Sequence, residues 1–180
     1  MTSATSATSA YVIDVTGVPS EADTARVAQL LERTPRGRWS VAVRRPDGDP
    51  VVIRTDPLLP DGTPLPTTWW LVGDLERVAI GRLEAGGGVR GANQAVDAEA
   101  LADAHRRYAA ERDAAIPPAY AGPRPKGGVG GTRRGVKCLH AHYAWHLAGG
   151  DDPVGRWVAA HLASQVAGQL GAQLAAPARS

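Results

Sequence analysis

The clearest indication of the fold is the stretch Trp39-Ser40-Val41-Ala42-Val43-Arg44, in which apolar residues occupy every second position. Such a period of two is typical of a β-strand. A turn-forming segment, Pro-Asp-Gly-Asp-Pro at 46–50, separates it from a second, β-branched segment at 51–55. Together the two segments predict a β-hairpin. Residues 67–72, Thr-Thr-Trp-Trp-Leu-Val, predict a third strand.

Helices are predicted before and after these strands. Ser20, Asp74 and Asp97 are residue types that cap helices, and each precedes apolar residues at helical spacing. The predicted helices cover residues 20–33, 74–86, 97–115 and 136–148, and a last one begins at 151–153. The inward face of the second helix is expected to carry Leu75, Val78, Ala79 and Leu83.

An α+β fold follows from this order of elements. We expect a small antiparallel sheet of about three strands packed with four to five helices. Residues 11–18 are apolar and β-branched, and their pattern leaves open a short strand or a lead into the first helix.

The chain has the size of one domain. A length of 180 residues fits a single domain, which we predict at 11–174. We predict a disordered Thr-Ser-Ala leader at 1–10 and a flexible tail at 175–180. The leader lacks the basic and apolar regions of a secretory signal, and no apolar run approaches the ~20 residues of a membrane-spanning helix. The single cysteine excludes an internal disulfide and fits a reducing compartment. We therefore predict a soluble, cytoplasmic protein.

The charge of the chain argues against nucleic acid as a partner. The formal net charge is +2, and the isoelectric point is near 9.0, which is only mildly basic. A dedicated nucleic-acid binder has a denser basic face with interleaved aromatic residues.

The residues with catalytic or ligand chemistry concentrate in 133–146, Arg-Arg-Gly-Val-Lys-Cys-Leu-His-Ala-His-Tyr-Ala-Trp-His. Apolar residues recur there at three- and four-residue spacing, which predicts a helix rather than a strand: Val136, Leu139, Tyr143 and Leu147. On that helix Cys138, His142 and His146 form one ladder at i, i+4 and i+8, whereas His140 faces elsewhere.

Three roles remain open for these side chains. As metal ligands, Cys138, His140, His142 and His146 suit zinc or iron, with His105, Asp151 and Asp152 as further candidates. The ends of the ladder lie about 12 Å apart along the axis, so these residues do not all bind one ion. Alternatively Cys138 is a nucleophile, favoured by Lys137 and a helix N-terminus, with His142 as its base. The third role is purely structural.

A glycine-rich loop precedes this predicted helix. Residues 127–137 bring backbone amides together with Arg133, Arg134 and Lys137 at a helix start, an arrangement that binds phosphate groups. The spacing matches neither the Walker A motif nor the dinucleotide fingerprint. A phosphate-containing small molecule is therefore one predicted partner.

These segments resemble domain-of-unknown-function family 501, a bacterial family common in actinobacteria. The resemblance rests on residues 35–37, 61–67, 82–85 and 153–155, and above all on Val-Lys-Cys-Leu-His-Ala-His at 136–142 with the later His146. Members have no established activity, and they carry further cysteines where this chain has Arg45 and Gly73. Their genes lie near those of a septum initiator and an exopolyphosphatase, which implies a role in cell division or polyphosphate metabolism.

Two functions from different classes are consistent with these observations. The first is a metal- or anion-binding protein that uses the Gly/Arg loop and the Cys/His helix, with hydrolysis as its chemistry if it is an enzyme. The alternative is a non-catalytic interaction protein, with a division-related protein as its partner.

Overall fold

The computed structural model describes residues 11–14 and 17–175. The predicted leader and residues 176–180 of the predicted tail lie outside the described residues. The strands are β1 (Val12–Ile13), β2 (Trp39–Arg44), β3 (Pro50–Thr55) and β4 (Trp69–Leu71). The helices are α1 (Glu21–Leu31), α2 (Asp74–Ala85), α3 (Gly88–Ala95), α4 (Ala98–Ala114), α5 (Leu139–Leu147) and α6 (Pro153–Ala175), with a 3₁₀ turn at Val129–Gly131.

The fold is α+β, as the sequence predicts, with an antiparallel sheet in the order β1-β2-β3-β4. The hairpin of β2 and β3 is confirmed, and Val41 pairs with Ile53 in its register. β1 pairs with the end of β2, so Val12 and Ile13 form a short strand, one of the two alternatives that the sequence left open. The described residues thus contain four strands and six helices, one more of each than the upper expectation.

Apolar cores lie on both faces of the sheet. On the inner face, Val43, Val52 and Leu71 belong to the main core, which α4, α5 and α6 complete. On the outer face, α1 packs Val27 and Leu30 against the strands in a smaller core. Because apolar groups lie on both sides, the central strands are buried almost continuously rather than at every second residue.

The prediction for the inward face of α2 was wrong for Leu75 and Val78, whereas Leu83 does pack against the main core. Leu75 and Val78 are 66% and 53% exposed, whereas Glu76 and Ile80 are buried. The Glu76 carboxylate turns inward because the Arg45 guanidinium binds it at 2.6 Å. An ion pair between distant segments therefore sets the rotation of this helix, against its apolar pattern.

The start of α5 also differs from the prediction. The helix begins at Leu139 rather than Val136, and Cys138 occupies the N-cap with extended backbone angles (φ −154°, ψ 123°). The amide of Val136 donates to the Asn93 side chain at 2.9 Å, and the amide of Leu139 donates to Glu84 at 2.7 Å. These bonds to α3 and α2 hold residues 136–138 outside the helix.

Gly88 is expected to tolerate no side chain. A Cβ there would lie 2.7 Å from the Leu83 carbonyl oxygen and 3.0 Å from the Leu139 side chain, whereas a Cβ at Gly81 meets nothing within 4 Å. We expect Gly88→Ala to lower the free energy of unfolding by about 1–3 kcal/mol. Gly81→Ala, the matched control inside α2, should raise it by about 0.5–1 kcal/mol. Urea unfolding measures both, and equal effects of the two changes would contradict this packing.

Asp23 is expected to make unfolding sensitive to acid. The Arg44 guanidinium binds this carboxylate at 2.7 Å and lowers its pKa from 3.8 to about 2. The folded state therefore gains stability from ionised Asp23 above about pH 4 and loses it as the pH falls towards 2. We expect urea midpoints to fall less steeply between pH 4 and 2 in Asp23→Asn than in the parent or in the exposed control Glu21→Gln. Parallel pH profiles for all three proteins would refute this linkage.

Candidate functional site

Three potential metal ligands meet where the end of α2 faces the start of α5. They are Glu84 on α2, Cys138 at the N-cap of α5 and His140 in the first turn of α5. One ligand atom from each lies within 4.8 Å of the other two. The Nδ1 of His140 is 3.7 Å from the Cys138 sulfur and 3.3 Å from a Glu84 oxygen. All three residues are partly exposed, so solvent reaches the group.

Glu84 fixes the position of the other two residues. Its Oε1 accepts the hydrogen bond from the Leu139 amide, and the Cys138 side chain makes no capping bond. The carboxylate thus takes over the role of a helix cap from outside the helix. As a result the Cys138 thiol is not used by the helix and remains beside His140.

The two ring nitrogens of His140 have different surroundings. Nε2 lies 3.4 Å from the backbone carbonyl oxygen of Arg77, which can only accept a hydrogen bond. This contact favours the tautomer with its proton on Nε2 and leaves the lone pair on Nδ1. The adjacent Cys138 side chain raises the pKa of His140 above its ordinary value, with a smaller contribution from Glu84, although burial opposes the shift.

His142 lies in a separate environment from Cys138. It is 1% exposed, and its Nδ1 donates to the Asp152 carboxylate at 2.7 Å. Its ring centroid is 5.7 Å from that of His105, and its Nε2 is buried without a hydrogen-bond partner among the described residues. Cys138 makes no hydrogen bond to His142 in the described part of the chain, because the thiol contacts His140 instead.

The predicted ladder of Cys138, His142 and His146 therefore does not form. Cys138 lies outside the helix, and the potential metal group contains neither of the other two residues. His146 is half-buried, and burial lowers its pKa. His140, which was expected to face elsewhere, is the histidine that meets the thiol. Sequence reasoning missed Glu84, and its only signal was its place in the segment 82–85 that carries the family resemblance.

Five of the eleven amides in the glycine loop are engaged within the protein. Gly128, Val129, Gly131, Thr132 and Val136 donate to protein acceptors, so these five amides are not available to a phosphate group. The side chains of Arg133, Arg134 and Lys137 are exposed and make no salt bridge among the described residues. These three side chains are therefore accessible to an anion from solvent.

A buried arginine holds this loop in place. Arg112 on α4 is 2% exposed, and its guanidinium donates to the carbonyl oxygens of Pro66, Gly127 and Pro125. Its charge is balanced by Asp113 at 2.8 Å. The loop is thus attached to α4 by charge-assisted hydrogen bonds.

A comparison with protein families identifies the chain. Residues 41–160 match the family described as "Protein of unknown function (DUF501)". This chain belongs to the DUF501 family. No curated protein and no solved structure matches it significantly. None of the described helices combines the length and the apolar character that crossing a membrane requires.

The family match covers Arg45 and Gly73, the two positions where the resemblance implies cysteines in other DUF501 members. A Cβ at Gly73 would lie 3.3 Å from an Arg45 guanidinium nitrogen, so the Arg45 side chain reaches Gly73. Arg45 binds Asp49, Asp74 and Glu76. An ion-pair network thus surrounds Arg45 in this chain.

The bond between His142 and Asp152 is expected to stabilise the fold. Asp152 is fully buried, and its second oxygen accepts the amides of Val154 and Gly155 at the start of α6. We expect Asp152→Asn to lower the free energy of unfolding by about 1–3 kcal/mol, because three hydrogen bonds lose a charged acceptor. The exposed neighbour Asp151→Asn should change it by less than about 0.5 kcal/mol. Urea unfolding compares the two, and similar losses would contradict a structural role for Asp152.

Proposed function

We propose that this DUF501 protein binds one divalent metal ion, zinc or ferrous iron, through Glu84, Cys138 and His140. The observation that carries the proposal is the convergence of a sulfur, a nitrogen and an oxygen atom within 4.8 Å. Thiolate, imidazole and carboxylate are the three ligand types that zinc takes in proteins, and iron accepts the same set.

The spacing of the ligand atoms suits a tetrahedral ion. Bonds of about 2.3 Å to sulfur and 2.0–2.2 Å to nitrogen and oxygen imply separations of about 3.6 Å for sulfur and nitrogen, and about 3.4 Å for nitrogen and oxygen. The corresponding distances around His140 Nδ1 are 3.7 Å and 3.3 Å. Two of the three separations between ligand atoms thus match those around a tetrahedral ion.

The contacts of His140 Nδ1 favour a metal site over a catalytic pair in which Cys138 is the nucleophile. In a catalytic triad the acid and the nucleophile contact opposite nitrogens of the histidine. Here Cys138 and Glu84 both face Nδ1, while Nε2 faces a backbone carbonyl. A hydrogen bond from the non-ligating nitrogen to a carbonyl is the usual support of a histidine that binds metal.

Three protein ligands leave the fourth position of the ion to solvent. This is the arrangement of hydrolytic rather than structural zinc sites, so the chemistry that the group favours is hydrolysis. The exposed Lys137 adjoins Cys138 in the chain, and Arg133 and Arg134 precede it. These cations favour a phosphate-containing small molecule as the substrate. The alternative, an interaction partner in cell division or polyphosphate metabolism, rests on the family resemblance alone.

Metal analysis of the purified protein tests the proposal. We expect about one zinc or iron per chain, and a thiolate-to-cobalt absorption band after exchange with Co²⁺. Cys138→Ser should lose the band and weaken metal binding at least tenfold, because it removes the thiolate. Serine is a favourable N-cap residue, so the same variant should fold at least as stably as the parent. The loaded parent should also hydrolyse an activated phosphate ester, and Cys138→Ser should not.

Two further variants make the test specific. Glu84→Gln keeps an acceptor for the Leu139 amide but removes the charge, and it should weaken metal binding with little effect on folding. His146→Gln is the matched control, because this histidine lies on the same helix outside the group. A parent protein that takes up neither zinc nor cobalt would overturn the proposal. So would retention of the cobalt band in Cys138→Ser, or its loss in His146→Gln.

A further inference from the structure

The outer face of the sheet is only partly covered, and a pocket remains where its cover ends. α1 has 11 residues and a length of about 16 Å, and it stops at Leu31. Beyond this point a pocket of about 200 Å³ opens over the sheet. Its walls are formed by Leu31, Pro35, Ile53, Leu65 and Trp70.

The interior of this pocket is apolar. The Thr55 hydroxyl and the Trp70 indole N–H reach its walls. Both already donate a hydrogen bond to the Thr67 carbonyl oxygen, at 3.1 Å, and are not available to a ligand. The pocket therefore offers a ligand apolar surface and an aromatic ring, without free donors in its floor. A cavity of about 150 Å³ with apolar walls is large enough for a benzene ring.

Two guanidinium groups line the mouth of the pocket. Arg33 and Arg36 are exposed, and the guanidinium group of neither forms a hydrogen bond or salt bridge with another described residue. Arg33 lies over Trp70, with 5.9 Å between its Cζ and the ring centroid. Glu32 has a left-handed backbone (φ 57°), the only such non-glycine residue among those described, and it ends α1 immediately before Arg33.

We propose that this pocket binds a small carboxylate with a flat apolar body, of the size of benzoate. The ring would fill the space beside Trp70 and Ile53, and the carboxylate would lie at the mouth between Arg33 and Arg36. Guanidinium groups bind carboxylates through paired, charge-assisted hydrogen bonds. The volume fits a single ring with one small substituent and is too small for a nucleotide. This site is independent of the metal group.

Titration of the full chain with benzoate, followed by ¹H–¹⁵N NMR of the tryptophan indole groups, tests the assignment. We expect a saturable shift of the Trp70 signal, assigned with Trp70→Phe, and a Kd on the order of 0.1–1 mM. Benzamide has the same shape without the charge and should bind roughly tenfold more weakly. Arg33→Gln and Arg36→Gln should each weaken benzoate binding roughly three- to tenfold and leave benzamide binding unchanged.

The controls separate this pocket from general attraction to a basic protein. Arg90→Gln, an exposed arginine on α3 that does not line the pocket, should bind benzoate as the parent does. The inference is overturned if benzoate leaves the Trp70 signal unshifted, or if benzamide binds equally well. Equal losses in Arg90→Gln and Arg33→Gln would also overturn it. Tighter binding of phenyl phosphate than of benzoate would refute the choice of a carboxylate head group.

Discussion

The hydrogen bond from the Leu139 amide to the Glu84 carboxylate, 2.7 Å long, links the two helices on which the candidate site depends. It satisfies a backbone donor at the start of α5 that the Cys138 side chain leaves unused. If α5 instead began three residues earlier, Cys138 would lie inside the helix, and its thiol would point along the helix surface. The site therefore exists because a carboxylate from α2 ends the incoming loop at that residue.

Neighbouring histidines on α5 have very different environments as a consequence. His140 lies on the side that faces α2 and is open to solvent, whereas His142 is enclosed with Asp152 and the His105 ring. One residue type thus occupies a partly exposed position beside a thiol and a buried position beside a carboxylate within a single turn. Counting histidines along the helix cannot distinguish these positions, because the difference comes from the elements packed against each side.

Much of the fold could be predicted from local patterns. The hairpin and the third strand were predicted correctly, because they follow from side-chain alternation. The capping residues Ser20 and Asp97 were also predicted correctly, because each binds backbone amides within a few residues of itself. The orientation of α2 and the start of α5 were not predicted correctly, because each is set by a contact between residues far apart in sequence. The pairs Arg45–Glu76 and Glu84–Leu139 are separated by 31 and 55 positions. The contact of Cys138 with His140 depended on the second of these contacts, so the sequence named His140 among the candidates but did not predict that it lies beside the thiol.

The anchoring of the glycine loop by Arg112 has a consequence for how the protein meets its ligands. A loop with this many glycines is usually imagined as a flap that folds over a substrate. Opening it here would remove the Gly127 carbonyl, and with it the neighbouring Pro125 carbonyl, from a guanidinium that is almost completely buried. Removing hydrogen-bond partners from a buried charge is strongly destabilising. We therefore expect the loop to be rigid and to keep the same shape whether or not a ligand is bound.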